Sequence, residues 1–475
     1  MTSPPVMPKP GAPTRSTLLG TSASIFLIRF FPTLASVVAL VWLSRSIDPI
    51  WYGSYQGFWV QWQVAHVVAC LGLPTLMLTY SRGQVHAFLR RLTMLHWLGA
   101  VAWICLCAVG LMLAQHDDMA LFPGWQSALF LVLNVPVAVL EAYALLGRQF
   151  RAVALVSGLY AGLFVLSHGL RTIPLIGFSN LMNLLLLGSG LRLLLLGGLA
   201  WQQWRAVPLT AAVPAGIRHL WLHTALNEVV QILFRWVDKL VLSFLLPAAL
   251  FALYFNGTID VPFLPLLLGA AGSALLLHFH ESEVSDTQRV QLLKSTATLL
   301  GRLVFPLFFF LVLFRRELFG VVFAHRYDAA VPLFLLSSLV IPLRAYNFTA
   351  LLQHKGKGRI ITTGAVLDLL LALLLMYPLY RWLGLGGVAL AFVISTWWQA
   401  GFYLWHTARL MEVRWAAMLP LRTWVLQLLS FGGGLLLLHE LLARYLSEAG
   451  VLWTGTGVVL ALLAAQLWQA RRADE

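Results

Sequence analysis

Charge is the scarcest commodity in this chain. Only 11% of its 475 residues are Asp, Glu, Lys or Arg, against roughly 25% in a soluble domain. A polar stretch long enough to fold as a domain of its own is also lacking, which leaves no room for a soluble catalytic domain, an ATPase or a nucleic-acid module. GxxxxGK[ST] and HExxH are absent, so neither a phosphate-cradling loop nor a zinc-protease helix is encoded. Cysteine is almost absent too. Cys70, Cys105 and Cys107 all fall in apolar stretches, which excludes a disulfide framework and suggests neither a metal site nor a cofactor.

What is abundant is apolar surface, with 60% of residues hydrophobic. A membrane-spanning helix needs about 20 such residues. Spans are expected to begin near Leu18, Gly53, Leu92, Leu121, Ala152, Asn180, Ile217, Leu250, Ala297, Ala329, Arg359, Gly384, Leu419 and Val451. The fold class expected is thus an all-α integral membrane protein of about fourteen transmembrane helices. Residues 1–17 are Pro-rich and polar and read as a disordered cytoplasmic tail. The first span is too long for a cleavable signal peptide and reads as a retained anchor.

The net charge of +14 could signal nucleic acid, but its distribution does not. With the N-terminus inside, twenty of the 32 Lys and Arg fall in cytoplasmic positions, among them Arg82, Arg90, Arg91, Arg148, Arg151, Lys355, Lys357, Arg409, Arg414 and Arg422. Seven fall outside: Arg45, Arg171, Arg315, Arg316, Arg326, Arg381 and Arg444. This is the positive-inside pattern, with both termini cytoplasmic. The excess charge serves topology and attraction to anionic lipid.

Weak internal echoes are present. Leu43-Ser44, Pro49, Gly53 and Tyr55 are answered by Leu242-Ser243, Pro247, Ala252 and Tyr254, and Ala144-Leu145-Leu146 with Ser157-Gly158 by Ala350-Leu351-Leu352 with Thr363-Gly364. Together they suggest two pseudo-symmetric six-helix lobes, 18–205 and 206–410, followed by two further transmembrane helices in 411–475. Repeats of this kind recur in secondary transporters, with the binding site near the midplane.

Ionisable residues inside spans are costly and mark candidate sites. Here they are Arg29, Glu141, Arg192, Glu228, Arg235, Asp238, Lys239, Asp260, Arg344 and Asp368. Thr224, Glu228, Gln231, Arg235 and Asp238 follow one another at steps of four and three residues, one face of the seventh span. The first span carries Ser22, Arg29, Thr33 and Ser36, the second Gln56, Gln63 and His66, and the eighth Asn256 and Asp260. Arginine suits an anionic headgroup because it stays charged and binds phosphate through two N–H groups. A carboxylate in a low-dielectric site can take and release a proton as exposure alternates. The candidate substrate-binding residues are accordingly Arg29, Arg235, Lys239, Arg192, Arg344 and Gln63, and the candidate ion-coupling residues Glu228, Asp260, Asp238 and Asp368. The alternative is a structural ladder in which Glu228, Arg235, Asp238 and Lys239 neutralise one another. Glu141 and Lys239 could also snorkel to the interfaces, and Asp368 could partner Arg192 or Arg344. His66, His96, His168 and His278 read as structural residues.

Some patterns mislead. Gly384-Leu385-Gly386-Gly387-Val388-Ala389 fits a loose dinucleotide-binding pattern but lacks a preceding strand. The sequons at Asn256 and Asn347 lie in spans, and Asp117-Asp118 reads as a solvated loop tip.

The order of several short motifs resembles the Wzx-type polysaccharide and lipid-linked oligosaccharide flippases of the multidrug/oligosaccharidyl-lipid/polysaccharide (MOP) exporter superfamily. They are Leu43-Ser44-Arg45-Ser46-Ile47-Asp48-Pro49 with Tyr52-Gly53 and Tyr55, Leu71-Gly72-Leu73 with Tyr80, Asp238-Lys239-Leu240 leading to Tyr254, Glu317-Leu318 with Tyr327 and Ala330, the Gly356-Lys357 loop, and Leu383-Gly384 with Gly386-Gly387-Val388-Ala389. The family often carries an acidic residue after the first proline, where this chain has Ile50-Trp51. The resemblance covers about 18–410. It implies a non-enzymatic flippase of the bacterial inner membrane that moves a polyprenyl-diphosphate oligosaccharide to the outer leaflet. Its implied partners are the lipid-linked glycan, membrane lipids and other polysaccharide-assembly proteins, with no nucleic acid. A small-molecule antiporter of the same superfamily and a membrane glycan polymerase or glycosyltransferase remain open.

Overall fold

The computed structural model describes residues 15–115, 121–170, 178–206, 213, 216–261 and 285–474, with isolated positions between 262 and 284. Asp117, Asp118 and His278 lie outside the described residues. Among the described residues every regular element is helical. In chain order these are α1 (Arg15–Ser46), α2 (Pro49–Cys70), α3 (Leu73–Thr79), α4 (Arg82–Arg90), α5 (Met94–Ala114), α6 (Gly124–Leu146), α7 (Phe150–Leu170), α8 (Phe178–Ala206), α9 (Ile217–Leu245) and α10 (Ala248–Gly257). They continue with α11 (Asp286–Leu313), α12 (Arg315–Phe323), α13 (Val331–Ser338), α14 (Ala350–His354), α15 (Gly358–Leu383), α16 (Leu385–Leu410), α17 (Trp415–Met418), α18 (Leu421–Tyr445) and α19 (Glu448–Asp474), with 3-10 turns at Asp328–Ala330 and Ile341–Ala345.

The all-helical membrane class expected from the sequence is what the structure has. Eleven stretches among the described residues are long and apolar enough to cross a bilayer, and a twelfth is made if α2 and α3, which meet at 51°, count as one broken span. The expected eighth span runs toward residues 262–284, most of which are not described. The tenth is a composite of 3-10 and α turns over Asp328–Ala345.

Local chemistry sets the helix starts. Asp48 Oδ1 accepts the Ile50 N–H at 2.8 Å where α2 begins with Pro49, a residue whose missing N–H costs nothing in a first turn. Ser285 and Gln288 close a capping box on α11, with Ser285 N–H donating to Gln288 Oε1 at 2.7 Å, satisfying donors the helix itself cannot. Interior prolines at Pro136, Pro306 and Pro378 leave their helices continuous, as membrane helices tolerate.

The chain forms two compact units, one of residues 1–43 and 61–233, the other of 44–60 and 234–475. In the first unit, polar side chains tie α6 to α8. Gln126 donates to Asn183 Oδ1 at 2.9 Å, and Asn134 to the Ser189 hydroxyl at 3.1 Å. Apolar packing offers little drive between helices in lipid, so such bonds select neighbours. In the second unit, α15 and α16 form a hairpin whose elbow is the single residue Gly384. A Cβ on Gly387 would sit 1.9 Å from the Leu379 carbonyl oxygen. The glycine-rich run therefore serves close helix approach, which is why it resembles a nucleotide loop only in letters.

Candidate functional site

Helix α9, the expected seventh span, is not among the stretches apolar enough to cross a bilayer by composition; it carries the densest set of expected site residues, and the structure divides them. The Thr224 hydroxyl donates back to Leu220 O at 2.9 Å. Glu228 accepts a hydrogen bond from Thr75 on α3. Asp238 is buried and accepts from the Tyr254 hydroxyl of α10 at 2.9 Å and from Lys239 Nζ at 3.4 Å. Lys239 is itself buried, with its ammonium 5.6 Å from the Trp236 ring centre, so it does not snorkel to an interface. Among the described residues, Asp238 and Lys239 are the ladder members that form an ion pair. Glu228 spends its charge on a hydroxyl, and Arg235 is exposed.

The exposed polar row of α9 lies one residue aside from the expected one. His219, His223, Asn227, Gln231 and Arg235 are all exposed and recur every fourth position. Such a row is disfavoured against hydrocarbon and belongs beside water or polar ligand, in keeping with the absence of α9 from the stretches apolar enough to cross a bilayer. Sequence reasoning picked Gln231 and Arg235 and missed His219, His223 and Asn227. The constant spacing of four was the signal, hidden because carboxylates drew attention to the neighbouring face.

Arg192 of α8 pairs with Glu141 of α6 and lies 4.9 Å from the centre of the Tyr160 ring on α7. Both charged side chains are mostly buried, at 16% and 22% exposure. Glu141 therefore does not snorkel, and Arg192 finds its partner there and not in Asp368. His66 faces Asn134 O at 3.3 Å and stacks on Trp62, and His168 faces Phe164 O at 2.6 Å. Both rings thus have a backbone carbonyl within hydrogen-bonding distance. Gln63 is half-buried, Arg29 is exposed on α1, and Asp260 is exposed just beyond α10.

Arg344 has a different setting. It sits on the 3-10 turn Ile341–Ala345 and lines a cavity of about 230 Å³ within the second unit. Asn347, Thr296, Thr396, Gln399 and Tyr403 line it with Arg344, together with apolar side chains such as Leu275, Leu300 and Phe348. The cavity wall is held by α15: Tyr403 donates to Ile361 O at 2.7 Å and Gln399 to Gly364 O at 3.5 Å. One turn along α15 lies Asp368, fully buried, with neither carboxylate oxygen hydrogen-bonded among the described residues. Its polar neighbour Ser395 donates its hydroxyl to Phe392 O at 3.1 Å. A carboxylate left unpaired in such a place costs several kcal/mol by order of magnitude. It is suited to holding a proton or a small cation.

No protein-family model matches the chain. No curated protein matches it by sequence. Solved structures do. A structure described as lipid II flippase MurJ in an inward closed conformation is similar with a TM-score of 0.67 at 13% identity, over 96% of this chain and 99% of the other. A MATE structure in a bent conformation is similar with a TM-score of 0.54 at 14% identity, over 84% of this chain and 96% of the other. At these identities the likeness establishes the fold alone, an all-helical membrane architecture shared with these two structures.

Proposed function

We propose that this chain is a flippase that carries a polyprenyl-diphosphate-linked oligosaccharide from the inner to the outer leaflet by alternating access, for cell-surface polysaccharide biosynthesis. The observation that carries the reading is likeness to a lipid flippase along nearly the whole chain, 96% of it, where the MATE likeness spans 84%. The exposed row from His219 to Arg235 supports it, because a headgroup of sugars and phosphates needs a polar path through an apolar span.

In this reading the lobes 18–205 and 206–410 rock against each other while the prenyl tail stays in lipid. Arg235 and Arg29, both exposed and in no ion pair among the described residues, contact diphosphate or acidic sugar. Arg344, which shares its cavity with amides and hydroxyls, suits a sugar or a phosphate there. Arg192 and Lys239 are tied into ion pairs and serve structure first. Cation coupling falls to Asp368, which is buried and unpaired, with Glu228 as a second carboxylate. The protein would reside in the bacterial inner membrane with both termini cytoplasmic, in contact with its glycan lipid, bulk lipid and other polysaccharide-assembly proteins.

A MATE-like antiporter of small molecules is the second reading, favoured by the TM-score of 0.54 to a MATE structure. Proteoliposomes decide between them. Protein-dependent movement of a labelled polyprenyl-diphosphate oligosaccharide between leaflets, altered by an imposed proton or sodium gradient, is expected of the flippase. No movement by folded protein supplied with several such glycans, together with gradient-driven uptake of small organic cations, would replace it with the antiporter.

A further inference from the structure

The two histidines in the exposed row stand close together. His219 Nε2 and His223 Nε2 are 3.2 Å apart, on successive turns of α9. The ring centres are 4.4 Å apart, farther than the nitrogens, with the ring planes at 70°. The two Nε2 atoms therefore converge. A linear N–H···N bond would place the ring centres about 5.5 Å apart, so the rings do not meet head-on. They are inclined to each other within hydrogen-bonding distance, and a small rotation of each ring opens the pair into two arms of a chelate.

We propose that His219 and His223 form a binding site for a divalent late first-row transition metal such as Zn²⁺, Ni²⁺ or Cu²⁺. At a metal–nitrogen distance of about 2.0–2.1 Å, two nitrogens 3.2 Å apart subtend roughly 100° at the ion. That lies between the tetrahedral and the cis-octahedral angle. Two imidazoles and no carboxylate select these metals over Mg²⁺ or Ca²⁺. The remaining coordination positions are open to water or to an anionic oxygen.

The backbone that carries the pair is locked. Trp221, on the opposite side of the helix from both histidines, donates its Nε1 proton to Leu71 O at 2.7 Å. Gly72 has φ +65°, and a Cβ there would lie 2.8 Å from the Ala225 backbone. The first turns of α9 thus press against the break between α2 and α3, which directs His219 and His223 outward in fixed register. This holds whether or not the chain moves a glycan lipid.

The test is Zn²⁺ titration of the purified full-length protein by calorimetry, with Cu²⁺ electron paramagnetic resonance to count the coordinating nitrogens. One equivalent is expected, with two imidazole nitrogens on Cu²⁺. Removing one chelate arm should cost at least as much as losing a second-shell support, about 10–100-fold in affinity, in both His219→Ala and His223→Ala. His96→Ala should leave binding unchanged. Adding Leu222→His to the His223→Ala variant restores a pair three residues apart on the same side of the helix and should recover binding. Absence of Zn²⁺ binding by the unaltered protein, or unchanged affinity in both single variants, would overturn the proposal.

Discussion

The Arg192–Glu141 pair allows a quantitative test of which intramembrane charges are structural. Removing one member of a buried ion pair costs about 3–5 kcal/mol, because the survivor is stranded; replacing both by apolar residues is often near neutral. Exposures of 16% and 22% place this pair at the lower end. Glu141→Leu should therefore destabilise by about 3 kcal/mol. Arg192→Leu also removes the contact with Tyr160, worth about 0.5–2 kcal/mol. It should nonetheless cost less, since an orphaned carboxylate can take up a proton whereas an orphaned guanidinium cannot shed one. The double variant should lie within about 1 kcal/mol of the unaltered protein, so the coupling is close to the sum of the two single losses. Reversible unfolding in mixed micelles measures all three. Additive losses in the double variant would refute the pairing. A well-folded double variant that no longer transports would show that Arg192 has a second role at the substrate.

Four further outcomes follow from the same structure. Gly72→Ala should be among the most damaging single changes in the first unit: the backbone at φ +65° disfavours any Cβ, and the overlap at 2.8 Å is with the main chain of Ala225, which no rotamer relieves; loss of the monodisperse peak in detergent is the readout, and a normal melting temperature would contradict it. Arg29→Ala and Arg235→Ala should abolish transport while leaving membrane insertion and melting temperature unchanged; full rates in both would remove them from the substrate path. Asp368→Asn should melt at or above the temperature of the unaltered protein, because it removes an unpaired buried charge, yet lose its response to an imposed gradient; an unchanged gradient response would refute the coupling role. His325 bridges Asp328 at 3.0 Å and Glu448 at 2.9 Å, and its hydrogen bond to Asp328, then the charges of Glu448 and Asp328, raise its pKa. The imidazolium therefore adds stability that is fully present below the ordinary histidine range and is lost as pH rises through the raised value. Hydrogen exchange at the start of α19 should quicken across that interval, and His325→Gln should remove the pH dependence.

Fold class was legible because it depends on counting. Apolar runs of span length need no partner to be recognised, and the bias of Lys and Arg between loops is a one-dimensional pattern. The site was legible only to the level of the helix. Period placed Glu228, Arg235 and Asp238 on one face, but a helical face is about 100° wide, and a turn of about 60° around the helix separates Gln231 and Arg235, which are exposed, from Glu228 and Asp238, which Thr75 and Tyr254 engage. Those partners lie 153 and 16 residues away, and no local pattern encodes them. Arg192 finding Glu141, 51 residues distant, is the same case: a charge inside a span announces that it needs a partner without saying which. Asp368 differs in that burial, which the sequence cannot resolve residue by residue, is what makes it notable.

The elbow at Gly384 bears on how the protein is made. With a single residue between α15 and α16, there is no loop that can wait in water while one helix crosses ahead of the other. Asp368 makes early entry of α15 alone more costly still, since its polar neighbours Ser395 and Tyr403 arrive with α16. Insertion of the two helices as one unit meets both constraints. The growing chain must then be held at the translocon until about 52 residues of hairpin have emerged, so substitutions at the elbow should be felt first as failed biogenesis and only later, if at all, as failed transport.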